Sequence, residues 1–430
     1  MDSIGKYQIV KEIGRGATST VYLARDPFNE QQVALKLFDP NVLKNRESGK
    51  AFRKLLQTEA SLAGKLSHPH IVKVFDAVLD ADENYMVMEY IEGDTLEQHG
   101  EVEQLLSLNR IAEIGYKCCK ALEYAQHQGV IHRDIKPANI LLCGESDIKI
   151  SDFGAALLEN QQATQVTGVG SPAYMSPEQI EDGTLSHQTD IYSLGVTLYR
   201  LLTGRQPFEA ANNYSMIYQV LNVEPPLPST FRTDLPPVFD SIVQRAMRKD
   251  IALRYQTWEE FASDLSTFLN DSTQQEEEIF DTKKFNTVRA LAFFQDFNDV
   301  ELWEVLRISE WHRINADESI IDEGEEGFSF FILAQGSVRI VKQGRTLDVL
   351  HPGSCFGEMT HHSEHGTRRS TDVIAKTEVI VIEIDPTVLA LSSSNCRLHF
   401  SEAFIRILVK RLSASNTRVV RLLSDDGADE

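Results

Sequence analysis

Cysteine is scarce. Five occur in 430 residues (Cys118, Cys119, Cys143, Cys355 and Cys396), an odd number with no CxxC pair. That excludes a disulfide framework and a thiolate zinc cage, and it fits reduced thiols in a cytoplasmic protein. The adjacent Cys118 and Cys119 fall in a helical pattern, where they read as small apolar residues. Long apolar runs are missing too. No stretch approaches the ~18 residues that a membrane-spanning helix needs, so no span is expected. The first residues, MDSIGKYQIV, lack the basic region and apolar run of a signal peptide. Positive charge is in deficit: 42 Lys and Arg stand against 64 Asp and Glu, a formal net charge of −22. A phosphate backbone is held mainly by Lys and Arg, so nucleic acid is not an expected partner. No internal repeat is visible. What remains is ample: hydrophobic residues make up 42% of the chain, and its length allows two or three domains.

Residues 7 to about 90 alternate short β-type runs (YQIVKEI, STVYLA, QVALKLF, IVKVFDA, YMVMEYI) with turns, interrupted by one helix-like segment at about 50–66. From about 95 to 270 apolar residues recur at spacings of three and four, as in LLSLNRIAEIGYKCCKALEYA, which predicts helices. The polar stretch DSTQQEEEIFDTKK then breaks the pattern, and a linker is expected over 271–289. After the helical ELWEVLRIS comes a second β-rich block, about 312–386. Turns punctuate it at Glu323-Gly324, Gln335-Gly336, Gln343-Gly344 and Pro352-Gly353. An amphipathic helix, EAFIRILVKRLSASNTRVVRLL, follows, and the acidic tail 423–430 is expected to be disordered.

Five separated elements follow in a fixed order, with residue types that suit phosphate-transfer chemistry. Gly14-Arg15-Gly16-Ala17-Thr18-Ser19 lies between two strand-like runs, where glycines let backbone N–H groups approach phosphates. Alone, such a turn is usually only a turn. VALK follows, ending at Lys36; Glu59 lies in the next helical pattern; then come IHRDIKPANILL (131–142) and ISDFGAA (150–156). With these motifs residues 7–270 resemble a eukaryotic-like Ser/Thr protein kinase domain. The resemblance implies a bilobal fold with a β-rich N-lobe and a helical C-lobe. It implies ATP and Mg²⁺ as cofactors and protein Ser/Thr residues as substrate. Lys36 would hold the α- and β-phosphates, and Glu59 would orient it. Asp134 would accept the substrate proton, Lys136 would neutralise charge near the γ-phosphate, and Asn139 and Asp152 would hold Mg²⁺. Gly14, Gly16, Val21 and Ala34 would enclose the nucleotide. Met88 would gate the adenine pocket, with Glu89 and Ile91 presenting backbone groups to the base. Glu178 would pair with Arg254, Asp190 would anchor the catalytic loop, and His132 would pack. The Lys-Pro-Ala-Asn run after Asp134 resembles the Ser/Thr branch rather than the Tyr branch. Ser19 replaces the third glycine of the loop, and Ser176-Pro177-Glu178 replaces Ala-Pro-Glu. Thr164 and Thr167 are candidate autophosphorylation sites that would pair with Arg133; plain loop threonines are the alternative. A pseudokinase would normally lack Lys36, Asp134 or Asp152, and all three are present.

A second phosphate site is suggested by FGEMTHHSEHGTRRS, residues 356–370. With its flanking strands and helices, 290–422 resembles a cyclic-nucleotide-binding domain, which implies a β-roll with flanking helices. The whole chain is thus expected to be α+β. In that family Gly357, Glu358, Met359 and Thr360 would open the phosphate cassette. Glu358 would accept the ribose 2′-hydroxyl, and Arg369, with Ser370 and Thr371, would meet the cyclic phosphate. A hydroxyl at Thr371 favours cyclic GMP over cyclic AMP in some relatives. The Glu-to-Arg interval is about two residues longer than usual, Arg368 stands where proline is common, and Asp372 brings a negative charge close. His361, His362 and His365 include an i, i+4 pair, but no Cys or carboxylate completes a zinc set. Two readings stay open: a kinase regulated by a cyclic nucleotide, or a kinase whose roll is a ligand-free interaction or dimerisation module. Homodimerisation is an arrangement either would allow. Lys283 to Val288, KKFNTV, sets two lysines ahead of Thr287, as an inhibitory pseudosubstrate would, but Ala138 stands where basophilic kinases often carry an acidic residue, so a solvated basic pair entering a helix is the leading reading.

Overall fold

A computed structural model describes residues 3–16, 18–39, 64–79, 84–144, 147–153, 157–158, 172–272, 280–358 and 368–425. The chain divides into two compact units, Met1–Glu278 and Ile279–Glu430.

The first unit opens with the strands β1 (Ser3–Ile4), β2 (Tyr7–Arg15), β3 (Ser19–Arg25), β4 (Gln32–Phe38), β5 (Val74–Leu79) and β6 (Asn84–Glu89). They form one antiparallel sheet in the order β1-β2-β3-β4-β6-β5. Alternation along each strand sorts its side chains. Ala24, Val33, Leu35, Tyr85 and Val87 pack into a core on one face. The other face receives the residues between them, including Ala34 and Lys36. The helix predicted near 50–66 lies largely outside the described residues.

The rest of this unit is mainly helical. Helix α1 (Leu108–His127) is capped by Ser107, whose side chain accepts from the Arg110 N–H, and it buries Cys118 and Cys119 completely. Short strands follow: β7 (Val130–Ile131), the hairpin β8 (Ile140–Cys143) and β9 (Asp147–Ile150), and β10 (Leu157–Leu158), which pairs with β7. Then come α2 (Pro177–Ile180), α3 (His187–Thr203), α4 (Asn213–Asn222), α5 (Pro237–Ala246) and α6 (Trp258–Ser272). Helix α3 is buried along nearly its whole length and stops at Gly204, whose φ of 69° suits glycine. A Cβ there would lie 2.6 Å from the Val102 nitrogen, so the close approach demands glycine as well.

The second unit begins with α7 (Asp281–Ala290), inside the stretch expected as linker. The linker expectation fails there because Phe285 and Val288 are fully buried and Phe285 stacks on Trp303 at 4.6 Å. Of the two readings of 283–288, the helix agrees with the basic pair entering a helix and not with the pseudosubstrate. The segment is helical, its Thr287 hydroxyl is bonded to the Lys283 carbonyl, and it is not an extended strand ready for a substrate cleft. Helix α8 (Asp299–Ile308) follows behind an Asn298–Glu301 capping box.

The β-block is β11 (Ser309–Ile314), β12 (Ser319–Ile321), β13 (Phe330–Gln335), β14 (Val338–Lys342), β15 (Arg345–Leu350), β16 (Cys355–Phe356), β17 (Asp372–Ala375) and β18 (Val379–Ile384). It forms two four-stranded antiparallel sheets, β11-β18-β13-β16 and β12-β17-β14-β15. The predicted turns are present, with Gly324, Gly336, Gly344 and Gly353 all at positive φ. Phe331, Leu333, Val338, Phe356, Val373, Val379 and Val381 fill the space between the sheets. On the outer face Phe330 meets Phe400 and Phe404 of the long helix α10 (Ser394–Asp425), which follows the short α9 (Pro386–Leu389).

Candidate functional sites

Register builds the first site. Gly14 lies opposite Val21, Val21 opposite Lys36, and Ala34 opposite Met88. Gly14, Val21, Ala34, Lys36 and Met88 therefore share the sheet face turned away from the apolar core. These five predicted nucleotide contacts come from four strands, which only pairing could join. Gly16 closes the loop by donating its N–H to the Ser19 carbonyl at 2.8 Å. Ile91 follows β6. The Glu89 carboxylate accepts from Lys149 Nζ at 2.8 Å.

Asp134, Lys136 and Asn139 converge in the loop after β7. Lys136 Nζ lies 2.7 Å from Asp134 Oδ2. Asn139 Nδ2 donates to Asp134 Oδ2 at 3.0 Å and to its backbone carbonyl at 2.8 Å. Asp190, from α3, sets the loop's shape: its carboxylate accepts the N–H groups of His132 and Arg133, each at 2.7 Å. Burial pushes the Asp190 carboxyl above its ordinary range, against the pull of His132, of those bonds and of Arg133. Arg133 takes φ 70° and Asp152 φ 64°, left-handed values that non-glycine residues adopt only where surroundings enforce them. His132 packs, as expected: it is fully buried, bonded through Nε2 to the Ser151 carbonyl and 4.5 Å from the Phe153 ring.

Lys36 reaches Asp152, with Nζ 2.5 Å from Oδ1. Asp152 keeps 41% of its side-chain surface open. Burial opposes its ionisation, but the charge and hydrogen bond of Lys36 hold its carboxyl below the ordinary value. Here an ammonium sits on the carboxylate expected to hold a metal. Glu59, the expected partner of Lys36, lies outside the described residues, as do Thr164 and Thr167. The Glu178–Arg254 pair is present and bidentate, at 2.8 and 3.2 Å, with Arg254 1% exposed. Burial works against the Glu178 charge, and the Arg254 bond more than offsets it, holding the carboxyl below its usual range.

In the second unit Arg369 and Gly357, twelve residues apart, come together: Nη1 donates to the Gly357 carbonyl at 3.0 Å and Nη2 to the Ser329 carbonyl at 2.8 Å. Arg369 is 8% exposed, and burial lowers its pKa while Glu325 and Glu383 pull it up. Arg368 is exposed. Gly357 has φ 81°, and a Cβ on Gly357 or Gly327 would come within 2.9 or 2.8 Å of the guanidinium. Asp372, expected to oppose a phosphate, is engaged by the Glu323 N–H at 2.6 Å. Ser370 is exposed and Thr371 half-buried beside it. Met359, Thr360, His361, His362 and His365 lie outside the described residues.

Sequence reasoning missed Arg411. From α10 its Nη1 reaches Glu358 Oε1 at 2.5 Å, and its Nη2 bonds the Cys355 carbonyl. Glu358 is thereby sealed, its side chain 5% exposed. Arg411 sits 53 residues beyond Glu358 in an ordinary amphipathic helix, and no local pattern marks it.

The protein kinase domain family matches residues 7–275, more than half of the chain. The chain belongs to the protein kinase family. The cyclic nucleotide-binding domain family matches residues 311–390 behind it. Serine/threonine-protein kinase PrkC of Bacillus subtilis (strain 168) is 33% identical over 294 residues, 68% of this chain and 45% of that protein. The probable serine/threonine-protein kinase SCO3848 of Streptomyces coelicolor is 35% identical over 274 residues, 62% of this chain and 40% of that one. Serine/threonine-protein kinase PknB of Mycolicibacterium smegmatis is 35% identical over 268 residues, 60% and 42%. The chain spans less than half the length of these relatives. Among the described residues no helix is long and apolar enough to cross a membrane.

Proposed function

We propose that this kinase domain transfers the ATP γ-phosphate to Ser or Thr of a protein substrate, and that a cyclic nucleotide bound to the second unit regulates it. The observation that carries the first part is the convergence of Asp134, Lys136 and Asn139 in one loop, with Lys36 bonded to Asp152. Asp134 would orient the substrate hydroxyl and take its proton. Lys136, 2.7 Å away, would offset charge developing on the transferred group. Asn139 and Asp152 offer the oxygen ligands that suit Mg²⁺, and the ammonium resting on Asp152 supports the reading of this carboxylate as a cation ligand. The metal would supply charge neutralisation of the phosphates. The test is phosphate transfer to a generic Ser/Thr substrate by the full chain. Asp134→Asn and Lys36→Met should each lose ~10²–10⁴-fold in rate with unchanged thermal unfolding. Near-full activity of Asp134→Asn would refute the assignment.

The second part rests on Arg369 and Gly357 meeting under the Glu358 turn. Glu358 would take the ribose 2′-hydroxyl and Arg369 the cyclic phosphate, and the Thr371 hydroxyl favours cyclic GMP over cyclic AMP. One observation supports the rival reading of a ligand-free interaction module: Arg411 already occupies the Glu358 carboxylate. Titrating fluorescent cyclic GMP and cyclic AMP against the full chain separates the two, since a ligand-free module gives no saturable signal.

A further inference from the structure

Strand β11 turns Glu310 and His312 to the same side as Ile314, which packs on the core between the two sheets. On β18, Glu383 follows the same alternation as the core residues Val379 and Val381. The register sets Glu310 directly opposite Glu383. Two carboxylates thus face each other across adjacent strands, an arrangement that is destabilising unless a positive charge lies between them. His312 supplies part of that compensation, with Nε2 2.9 Å from Glu383 Oε2. Arg369 also feels the charge of Glu383, behind that of Glu325. The ligand atoms of Glu310, His312 and Glu383 all lie within 4.8 Å of one another. His312 and Glu383 keep 39% and 29% of their side chains exposed, and Glu310 is exposed, so the cluster opens to solvent.

We infer that Glu310, His312 and Glu383 form a binding site for a first-row divalent transition cation of the zinc type. The donor set decides the class. One imidazole nitrogen and two carboxylates suit Zn²⁺ with water in a remaining position, whereas Mg²⁺ and Ca²⁺ favour oxygen ligands alone. Neighbouring strands hold two ligands two residues apart and the third across the ladder, so the site needs little ordering to close. A cation there removes the repulsion between Glu310 and Glu383 and ties β11 to β18. It also neutralises a carboxylate whose field reaches Arg369. That consequence for anion binding rests on the cyclic-nucleotide reading; the metal site does not.

The test is equilibrium dialysis of the full chain against Zn²⁺ at neutral pH without nucleotide, followed by metal analysis. The expected result is a saturable zinc that His312→Gln and Glu383→Gln each weaken at least about tenfold, since changes even to groups behind metal ligands cost 10–100-fold. Glu310→Gln, at an exposed position that tolerates substitution, should weaken it as well while leaving thermal unfolding in place. No saturable zinc, or zinc retained undiminished in all three variants, overturns the site. Cyclic-nucleotide titration of the same variants is read separately. Zinc binding without nucleotide binding sinks only the nucleotide reading, and the reverse sinks only the metal site.

Discussion

Arg369 and Arg368 are neighbours in sequence with opposite environments, and that contrast makes a prediction. Arg369 is buried and bonded to two carbonyls under the Glu358 turn, while Arg368 is exposed. Arg369→Ala should therefore weaken cyclic-nucleotide binding roughly tenfold or more, as expected for a charged hydrogen bond of about 1.5–3 kcal/mol. Arg368→Ala should do less. Fluorescence titration of both variants gives the ranking, and the reverse order would refute the register. Lys249 offers a second test. Burial pushes its ammonium down to about 8 from 10.5, against the pull of Glu224, while its Nζ bonds the Tyr192 hydroxyl and lies 4.5 Å above the Phe208 ring. A lysine with a lowered folded pKa binds fewer protons folded than unfolded between those values. Stability should thus rise with pH from about 8 to 10.5, with the cost of burying the charge fully present below 8. Thermal unfolding against pH should show this rise, and Lys249→Met should flatten it.

At the scale of elements, α7 is the informative one. Composition marked 271–289 as linker, because charged and polar residues dominate DSTQQEEEIFDTKK. Two apolar residues in the following turns outweigh that signal: Phe285 and Val288, three apart on one helix face, are fully buried. Phe285→Ala should cost about 3–5 kcal/mol, the range for large aromatic truncations in a core. Chemical denaturation of the full chain should show the loss in the transition of the second unit and leave that of the kinase unit unmoved. The strands were easier to read. Gly324, Gly336, Gly344 and Gly353 all take the positive φ that turn residues require, which is why the hairpin punctuation was visible from composition alone.

For the whole molecule, the question is coupling between kinase and roll. Covalent linkage keeps their effective concentration high whatever their geometry. A ligand shifts activity only through its differential affinity for two states, typically 1–3 kcal/mol or about 5–150-fold. The expectation is that the roll restrains the kinase until a cyclic nucleotide binds. A chain ending at Glu278, the limit of the first unit, should then be more active than unliganded full-length protein. Equal activity with and without the roll, and with and without cyclic GMP or cyclic AMP, would reduce the roll to a docking module. The helical α7 argues against 283–288 as an extended inhibitory element, and the coupling does not depend on it.

By itself the sequence determined the order of the motifs and the kinase and roll architectures, and it singled out Lys36, Asp134, Lys136, Asn139 and Asp152 as the proposed catalytic set. These are legible because phosphate transfer fixes both residue type and local spacing. The long-range contacts were decided only in three dimensions. Strand pairing placed Gly14, Val21, Ala34, Lys36 and Met88 on one face. Folding of α10 brought Arg411 onto Glu358, and the pairing of β11 with β18 brought Glu310, His312 and Glu383 together. An ion pair formed by residues distant in sequence leaves no periodicity and no motif. Its partners are chosen by where elements pack, and burial then fixes the choice, because a sealed polar group left without a partner is costly.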